Sequence, residues 1–300
     1  MLLSKRFYLS DIASHLGADY VGPREQACSH LGSPHDDSDD TLVLCFERRY
    51  LRLTERANIS GCVVVPELSA LVPSGIPKII VDDPKSALTE LLRYFNQANT
   101  VAYGTFHPTA SIDPSSEIHP TAHIGAHCSV GAHVIIGPNV QLHDGSVIEP
   151  HTKVGEHSII HSRAVLHRNT RIGSHVRIGA GAVIGALGFN VDQHNLRFHL
   201  GYVEIGNHSS VGANSCIDRG LIGSTRLGSH SHLDNLVQIG HNAQIGDRVT
   251  ICGQVGIAGS VVIGDDVIIG GQTGITHGIT VVSNVRIAAQ SGVTKNIKTP

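Results

Sequence analysis

From Ile112 onward an aliphatic residue returns at every sixth position: Ile112, Ile118, Ile124, Val130, Ile136, Leu142, Ile148, Val154, Ile160, Leu166, Ile172, Ile178 and Ile184, many followed by Gly. The rhythm breaks, resumes at Ile205, Val211 and Ile217, breaks again, and then runs unbroken from Leu227 to Val293. An α-helix does not keep a six-residue period and a single strand cannot run that far, so the chain must turn a corner in every hexad. Three hexads per turn predict a triangular prism whose inward aliphatics stack in ladders from coil to coil. The two interruptions predict loops pushed out of an otherwise continuous prism.

Before the repeats the pattern is that of a small α/β domain. Leu9 to Leu16 predicts a short helix with Ser10 as N-cap and Gly17 at its end. Thr41 to Phe46, Gly61 to Val65 and Lys78 to Val81 predict strands. In Pro84 to Phe95 the apolar residues Leu88, Leu91, Leu92 and Phe95 share one helical face. Gln97 to Pro108 is then the connection, and the chain divides into residues 1–105 and 106–300.

Composition narrows the partners. Net charge −3 with 16% charged residues leaves no basic field for nucleic acid. Six cysteines without CxxC spacing predict neither a disulfide nor a zinc framework, and a reducing cytoplasm is the expected compartment. No apolar window approaches the roughly 18 residues of a spanning helix, so no integral membrane segment is expected. Thirty-three Gly and no Trp suit short strands and tight corners better than a single globular core.

Candidate chemistry concentrates between Leu233 and Gly246, LDNLVQIGHNAQIG. Leu233, Ile239 and Ile245 keep the period, while Asp234, Asn235, His241 and Asn242 place an acid, an imidazole and two amides between them. With three hexads per coil, Gly259 stacks over His241 and His277 over Gly259, with coils about 4.8 Å apart.

The [LIV]-G-x-x-x-x repeats resemble the hexapeptide-repeat acyltransferases. That resemblance implies a mainly β fold, a left-handed parallel β-helix, assembled as a homotrimer with active sites between subunits. More narrowly, SDIASHLGA, CIDRG at Cys216 to Gly220, DNLVQIGHN at Asp234 to Asn242 and IAAQSGVTKNI at Ile287 to Ile297, behind an N-terminal domain, are similar to the UDP-3-O-acylglucosamine N-acyltransferases of lipid A biosynthesis. The resemblance covers nearly the whole chain. It implies transfer of a 3-hydroxyacyl chain from acyl carrier protein, as co-substrate, to the 2-amine of a UDP-sugar, without metal or redox cofactor. His241 is then the general base, Asp234 the acid that orients it, and the Gly259 N–H an oxyanion donor. Tyr50 matches the aromatic that stacks on uracil, and Phe189, Asn235 and Asn242 are expected against the substrate.

The chain departs from the family pattern in three places. Leu187-Gly188-Phe189-Asn190 lacks the usual Asp before Gly-Phe-Gly, Leu44 stands where a Phe precedes the Tyr, and His277-Gly278 reverses the usual order. The family pattern also continues into helices that receive the carrier protein, whereas this sequence ends at Pro300. Other readings stay open at this level: a hexapeptide-repeat enzyme using acyl-CoA, a zinc carbonic anhydrase of the same fold for which Val282 stands at the third ligand position, or a non-catalytic scaffold. Most of the 21 His, such as His119, His123, His127 and His133, are expected to be solvated corner residues.

Overall fold

The computed structural model describes residues 2–32, 38–96, 104–192 and 194–300. The chain divides into two compact units, Met1–Thr100 and Val101–Pro300.

The first unit is a six-stranded sheet formed by β1 (Leu2–Tyr8), β2 (Asp19–Val21), β3 (Ala27–Gly32), β4 (Thr41–Cys45), β5 (Ile59–Val64) and β6 (Lys78–Ile80) in the order β1-β3-β4-β5-β6-β2. The four central strands are parallel and the two edge strands antiparallel. Side chains alternate between faces along a strand. Leu42 and Val63 therefore join Leu9, Ile12, Leu91 and Phe95 in one core, while Val43 and Val64 join Cys45, Leu53 and Cys62 in another. Burial on both faces is why these strands read as continuous apolar runs. Helix α1 (Leu9–Leu16) ends at Gly17, whose left-handed φ of 62° lets its N–H return to the carbonyls of Ala13 and Ser14. Its N-cap is Tyr8, not Ser10, whose hydroxyl bonds the Arg24 carbonyl instead. A short α2 (Pro66–Ser69) and α3 (Pro84–Asn96) complete the helices, with a 3₁₀ segment at Arg48–Glu55. The expected connection Gln97 to Pro108 lies largely outside the described residues.

The second unit is a parallel β-solenoid of three sheets with ten, nine and nine strands. Ser129 pairs with Val147 and Val147 with Val165, so one coil takes eighteen residues. The hexad aliphatics face inward: Ile124, Ile160, Leu166, Ile178, Ile184, Ile251 and Ile269 are fully enclosed. A second, smaller inward residue sits two positions before each of them. At several of these positions a Ser hydroxyl donates to a carbonyl of the next coil, as Ser158 does to Gly173 at 2.9 Å and Ser231 to Gly246 at 2.8 Å, which satisfies a buried polar group.

Three residues after most inward aliphatics the backbone enters the left-handed region, as at His127, His133, Asn139, His151, His157 and Asn169. Gly, Asn and Asp fit this region most easily, yet His fills many of these corners. Corners stack, so the imidazoles of His157, His175, His208 and His230 form a ladder with centroids 4.8 to 4.9 Å apart and nearly parallel planes.

Both interruptions are outward excursions. Ile172 pairs with Ile205, leaving a loop with a small hairpin (Val191–Asp192 with Asn195–Leu196) outside the prism, and Ile205 pairs with Leu227 around a short bulge at Arg219 to Gly223. The loop leaves the sheet at Ala186, which pairs with Asp218.

Candidate active site

His241 follows Ile239 and Gly240 at a corner of the prism. Gly240 is required there, because a Cβ would meet Gly259 N at 2.6 Å on the next coil. The His241 carbonyl accepts from Ser260 N–H at 2.8 Å and the Gly259 carbonyl from Gly278 N–H at 3.1 Å, which puts His241, Gly259 and His277 in one column. His277 is exposed, its ring 6.2 Å from that of His241.

The tautomer of His241 is fixed by Asn242. The Asn242 side-chain oxygen accepts Leu221 N–H at 2.8 Å while its amide nitrogen donates to the Ile222 carbonyl at 2.8 Å, which settles the orientation of the amide. His241 Nδ1 lies 3.2 Å from that oxygen, so Nδ1 donates and Nε2 carries the lone pair. Nε2 faces Gly259: a Cβ there would lie 2.6 Å from it, and 2.8 and 2.9 Å from the neighbouring ring carbons. Only a residue without a side chain leaves the ring in place. Gly188, from the long loop, covers the other side, and its Cβ would meet the His241 Cβ at 2.9 Å. Among the described residues Gly259 N–H has no hydrogen-bond partner.

Two groups that the pattern of the sequence did not single out stand beside this imidazole. Asp218, in the CIDRG stretch, has its carboxyl pKa pushed up by burial, against the hydrogen bond from Gln238 and the nearby His241, both of which favour the carboxylate. His199, carried by the long loop, is 2% exposed, and its ring stands edge-on to His241 with centroids 5.2 Å apart. Its Nδ1 donates to the Arg197 carbonyl at 3.0 Å, and its buried Nε2 has no partner among the described residues. Burial pushes its pKa down, with a smaller contribution from His241 and Arg219.

The remaining expected site residues lie elsewhere or serve the backbone. Asp234 and Asn235 sit one corner back, because a hexad is one side of the prism. Asp234 accepts Asn235 N–H at 2.7 Å and is exposed, while the Asp218 carboxyl feels the charge of His241. The Asn235 oxygen accepts Ala213 N–H at 2.7 Å, and Asn242 pins the short bulge as described, so these oxygens hold corners rather than stand free for a substrate. Phe189 is 82% exposed on the loop. Tyr50, in the first unit, is half-buried with the Arg49 guanidinium 4.8 Å over its ring. Among the described residues no set of three or more His, Cys, Asp and Glu converges as metal ligands.

Two hollows flank the column. Above it, the outward positions Gly256, Gly274 and Gly292 pair in register, and a Cβ at any of them would touch nothing within 4 Å. They form the floor of a mostly apolar groove of about 580 Å³ that runs up from Gln238 past Ile257, Ala258 and Thr276. Below it, under the long loop, lies a cavity of about 470 Å³ bordered by Leu187, Phe198, His199 and Arg219.

Known proteins agree with this architecture. Residues 260–295 match the family described as hexapeptide repeat of succinyl-transferase, and residues 106–194 that described as GMPPB C-terminal domain. Among solved structures, an Arabidopsis UDP-N-acetylglucosamine acyltransferase superposes with a TM-score of 0.60 at 24% identity over 64% of this chain and 68% of that one. The Francisella novicida UDP-N-acetylglucosamine acyltransferase gives 0.52 at 27% identity over 64% and 63%. These likenesses carry the fold, a left-handed parallel β-helix. The UDP-3-O-acylglucosamine N-acyltransferase of Maricaulis maris is 51% identical over 84 residues, 27% of this chain and 24% of that enzyme. That of Coxiella burnetii is 31% identical over 85% of this chain and 75% of its own length. The enzyme of the same name from Methylobacillus flagellatus is 34% identical over 87% of this chain and 75% of its own length. A resemblance of that extent means that this chain belongs to the UDP-3-O-acylglucosamine N-acyltransferase family.

Proposed function

We propose that the protein moves an acyl chain from a carrier-bound thioester to the 2-amine of a UDP-3-O-acylglucosamine, the acyl transfer of lipid A synthesis. The observation that carries this reading is the lone pair of His241 Nε2, fixed by Asn242 and aimed across Gly259. As the amine attacks the thioester carbonyl, His241 takes the proton the amine must lose. The carbonyl oxygen becomes an oxyanion, for which the unpartnered Gly259 N–H is the donor. Collapse forms the amide, breaks the C–S bond and returns the proton to the departing thiolate. This balance calls for no metal or redox cofactor.

The glycine-floored groove beside the base offers the acyl chain an apolar path. Tyr50 would give the first unit its affinity for the nucleotide. The donor is acyl carrier protein, and the working assembly is a homotrimer in which a neighbour covers the exposed Leu187, Phe189 and Phe198 of the loop. The cysteines, all free among the described residues, fit a cytoplasmic protein, and no helix there is long and apolar enough to cross a membrane.

The test is turnover of a defined acyl carrier substrate with UDP-3-O-acylglucosamine, followed by mass spectrometry of the amide. His241→Ala should reduce kcat about 10²–10⁴-fold, the usual contribution of a general base. A variant that keeps most of its rate places the base elsewhere.

A further inference from the structure

Arg219 follows Ile217 as His241 follows Ile239, and these strands pair, so the arginine stands one coil below the base on the same corner. It is only 7% exposed, yet among the described residues its side chain makes a single hydrogen bond, from Nε to the Gly185 carbonyl at 2.6 Å. Among the described residues no carboxylate comes within ion-pairing distance of it. The acid whose charge acts on it, Glu149, is engaged with His167 Nδ1 at 3.1 Å and Arg168 N–H at 3.0 Å. A guanidinium does not lose its proton in proteins, and a buried cation without a counter-charge is strongly disfavoured. A second cation, Arg168, borders the same cavity. Burial acts against the charge on Arg219; Glu149 favours it, and Arg168 opposes it. Glu149 and His167 line the same hollow, but the Glu149 carboxylate is already engaged, so the buried Arg219 guanidinium is left as an unpaired charge beside a cavity, the arrangement of an anion site.

We propose that this cavity is a subsite for a phosphoryl group, gripped by the guanidinium groups of Arg219 and Arg168. Arg219 Nε is already held by Gly185, so its two terminal nitrogens form the remaining edge for paired hydrogen bonds to phosphate oxygens. The cavity volume suits a phosphate ester with an organic group attached rather than a lone ion. Leu187, Phe198 and Leu200 supply an apolar rim for that group. His199 closes the cavity towards His241. That the phosphoryl group belongs to one of the two substrates rests on the acyl transfer proposed above; the candidates are the diphosphate of the UDP-sugar and the phosphodiester of a carrier's phosphopantetheine arm.

Isothermal titration of the full chain with inorganic pyrophosphate at low salt tests the site without turnover. Saturable binding is expected, weakening with added salt and at least tenfold in Arg168→Gln and in Arg219→Gln. Arg168 is exposed, so its variant carries the test if loss of Arg219 prevents folding. His241→Ala should bind pyrophosphate as the unaltered chain does, so a failure of the catalytic reading leaves this result standing. Displacement of pyrophosphate by UDP identifies the acceptor as the source, and displacement by 4′-phosphopantetheine the donor; displacement by neither overturns the assignment to a substrate. Absence of saturable binding, or an affinity in both arginine variants unchanged from that of the unaltered chain, overturns the site.

Discussion

Gly259→Ala is the sharpest test of the site, because the structure gives its size in advance. The new methyl would lie 2.6 Å from His241 Nε2, whereas ordinary contact begins near 3.4 Å, so the reacting nitrogen must retreat by about 0.8 Å. The far end of a side chain can make that move without unfolding the coil, and overpacking of this kind costs about 1–3 kcal/mol. Retreat is nonetheless constrained, since Gly188 lies over the root of the ring and Asn242 tethers Nδ1. Misplacing a catalytic group by about 1 Å can cost about 10²-fold in rate, so kcat should fall by roughly one to two orders of magnitude while thermal unfolding stays cooperative. Release of free thiol from the acyl donor, followed with a colorimetric reagent, measures this under saturating substrates. Because the methyl acts through His241, the double variant with His241→Ala should be scarcely slower than His241→Ala alone. A Gly259→Ala enzyme with more than half the normal kcat, or losses that simply multiply, would refute Nε2 as the reacting atom.

Asp218→Asn should raise the melting temperature at neutral pH while lowering kcat: burial has pushed this carboxyl's pKa above its ordinary 3.8, so the folded state holds its charge at a cost. His143, His161 and His199 are all held below the ordinary 6.5 by burial, so the unfolded chain binds more protons as pH falls through 6.5. Stability should therefore drop between about pH 7 and the lower folded-state pKa values, and His143→Gln with His161→Gln should flatten that drop in calorimetry. Gly274→Leu, built into open space on the groove floor, should leave folding intact and shift the preferred acyl chain towards shorter lengths in competition between mixed donors, each lost methylene contact being worth about 0.8 kcal/mol. Tyr50→Ala should raise KM for the UDP-sugar with kcat nearly unchanged, the pattern of lost uniform binding; an unchanged KM counts against Tyr50.

The prism was legible because its signal is one-dimensional: each inward Ile, Leu or Val repeats a decision made every sixth residue, and stacking follows from counting. The column of His241, Gly259 and His277 was readable for the same reason. What counting cannot supply is the content of the excursions. His199 belongs to no hexad, and it meets His241 only because the loop that leaves at Ala186 folds back over that corner. Asp218 has a place in the rhythm, but only its burial beside Gln238 distinguishes it from a solvated corner acid. Asp234 shows the converse limit, since nearness in sequence to His241 translates into the far end of a prism side. In the first unit β1 escaped notice because its polar and charged residues break the apolar alternation that marks a strand, and the helix cap fell on Tyr8, whose backbone rather than side chain makes the turn.

The imidazole ladder carries a further meaning. His175 and His208 are separated by the whole long loop, yet they stack as closely as His157 and His175, which follow each other at one coil's interval. The pitch of the solenoid is thus blind to what its corners extrude. Each coil answers only to the coils above and below it, so the scaffold and its specificity elements can change independently. A loop could be exchanged for that of a relative, or a whole coil inserted far from His241, with the rest of the stack continuing in register.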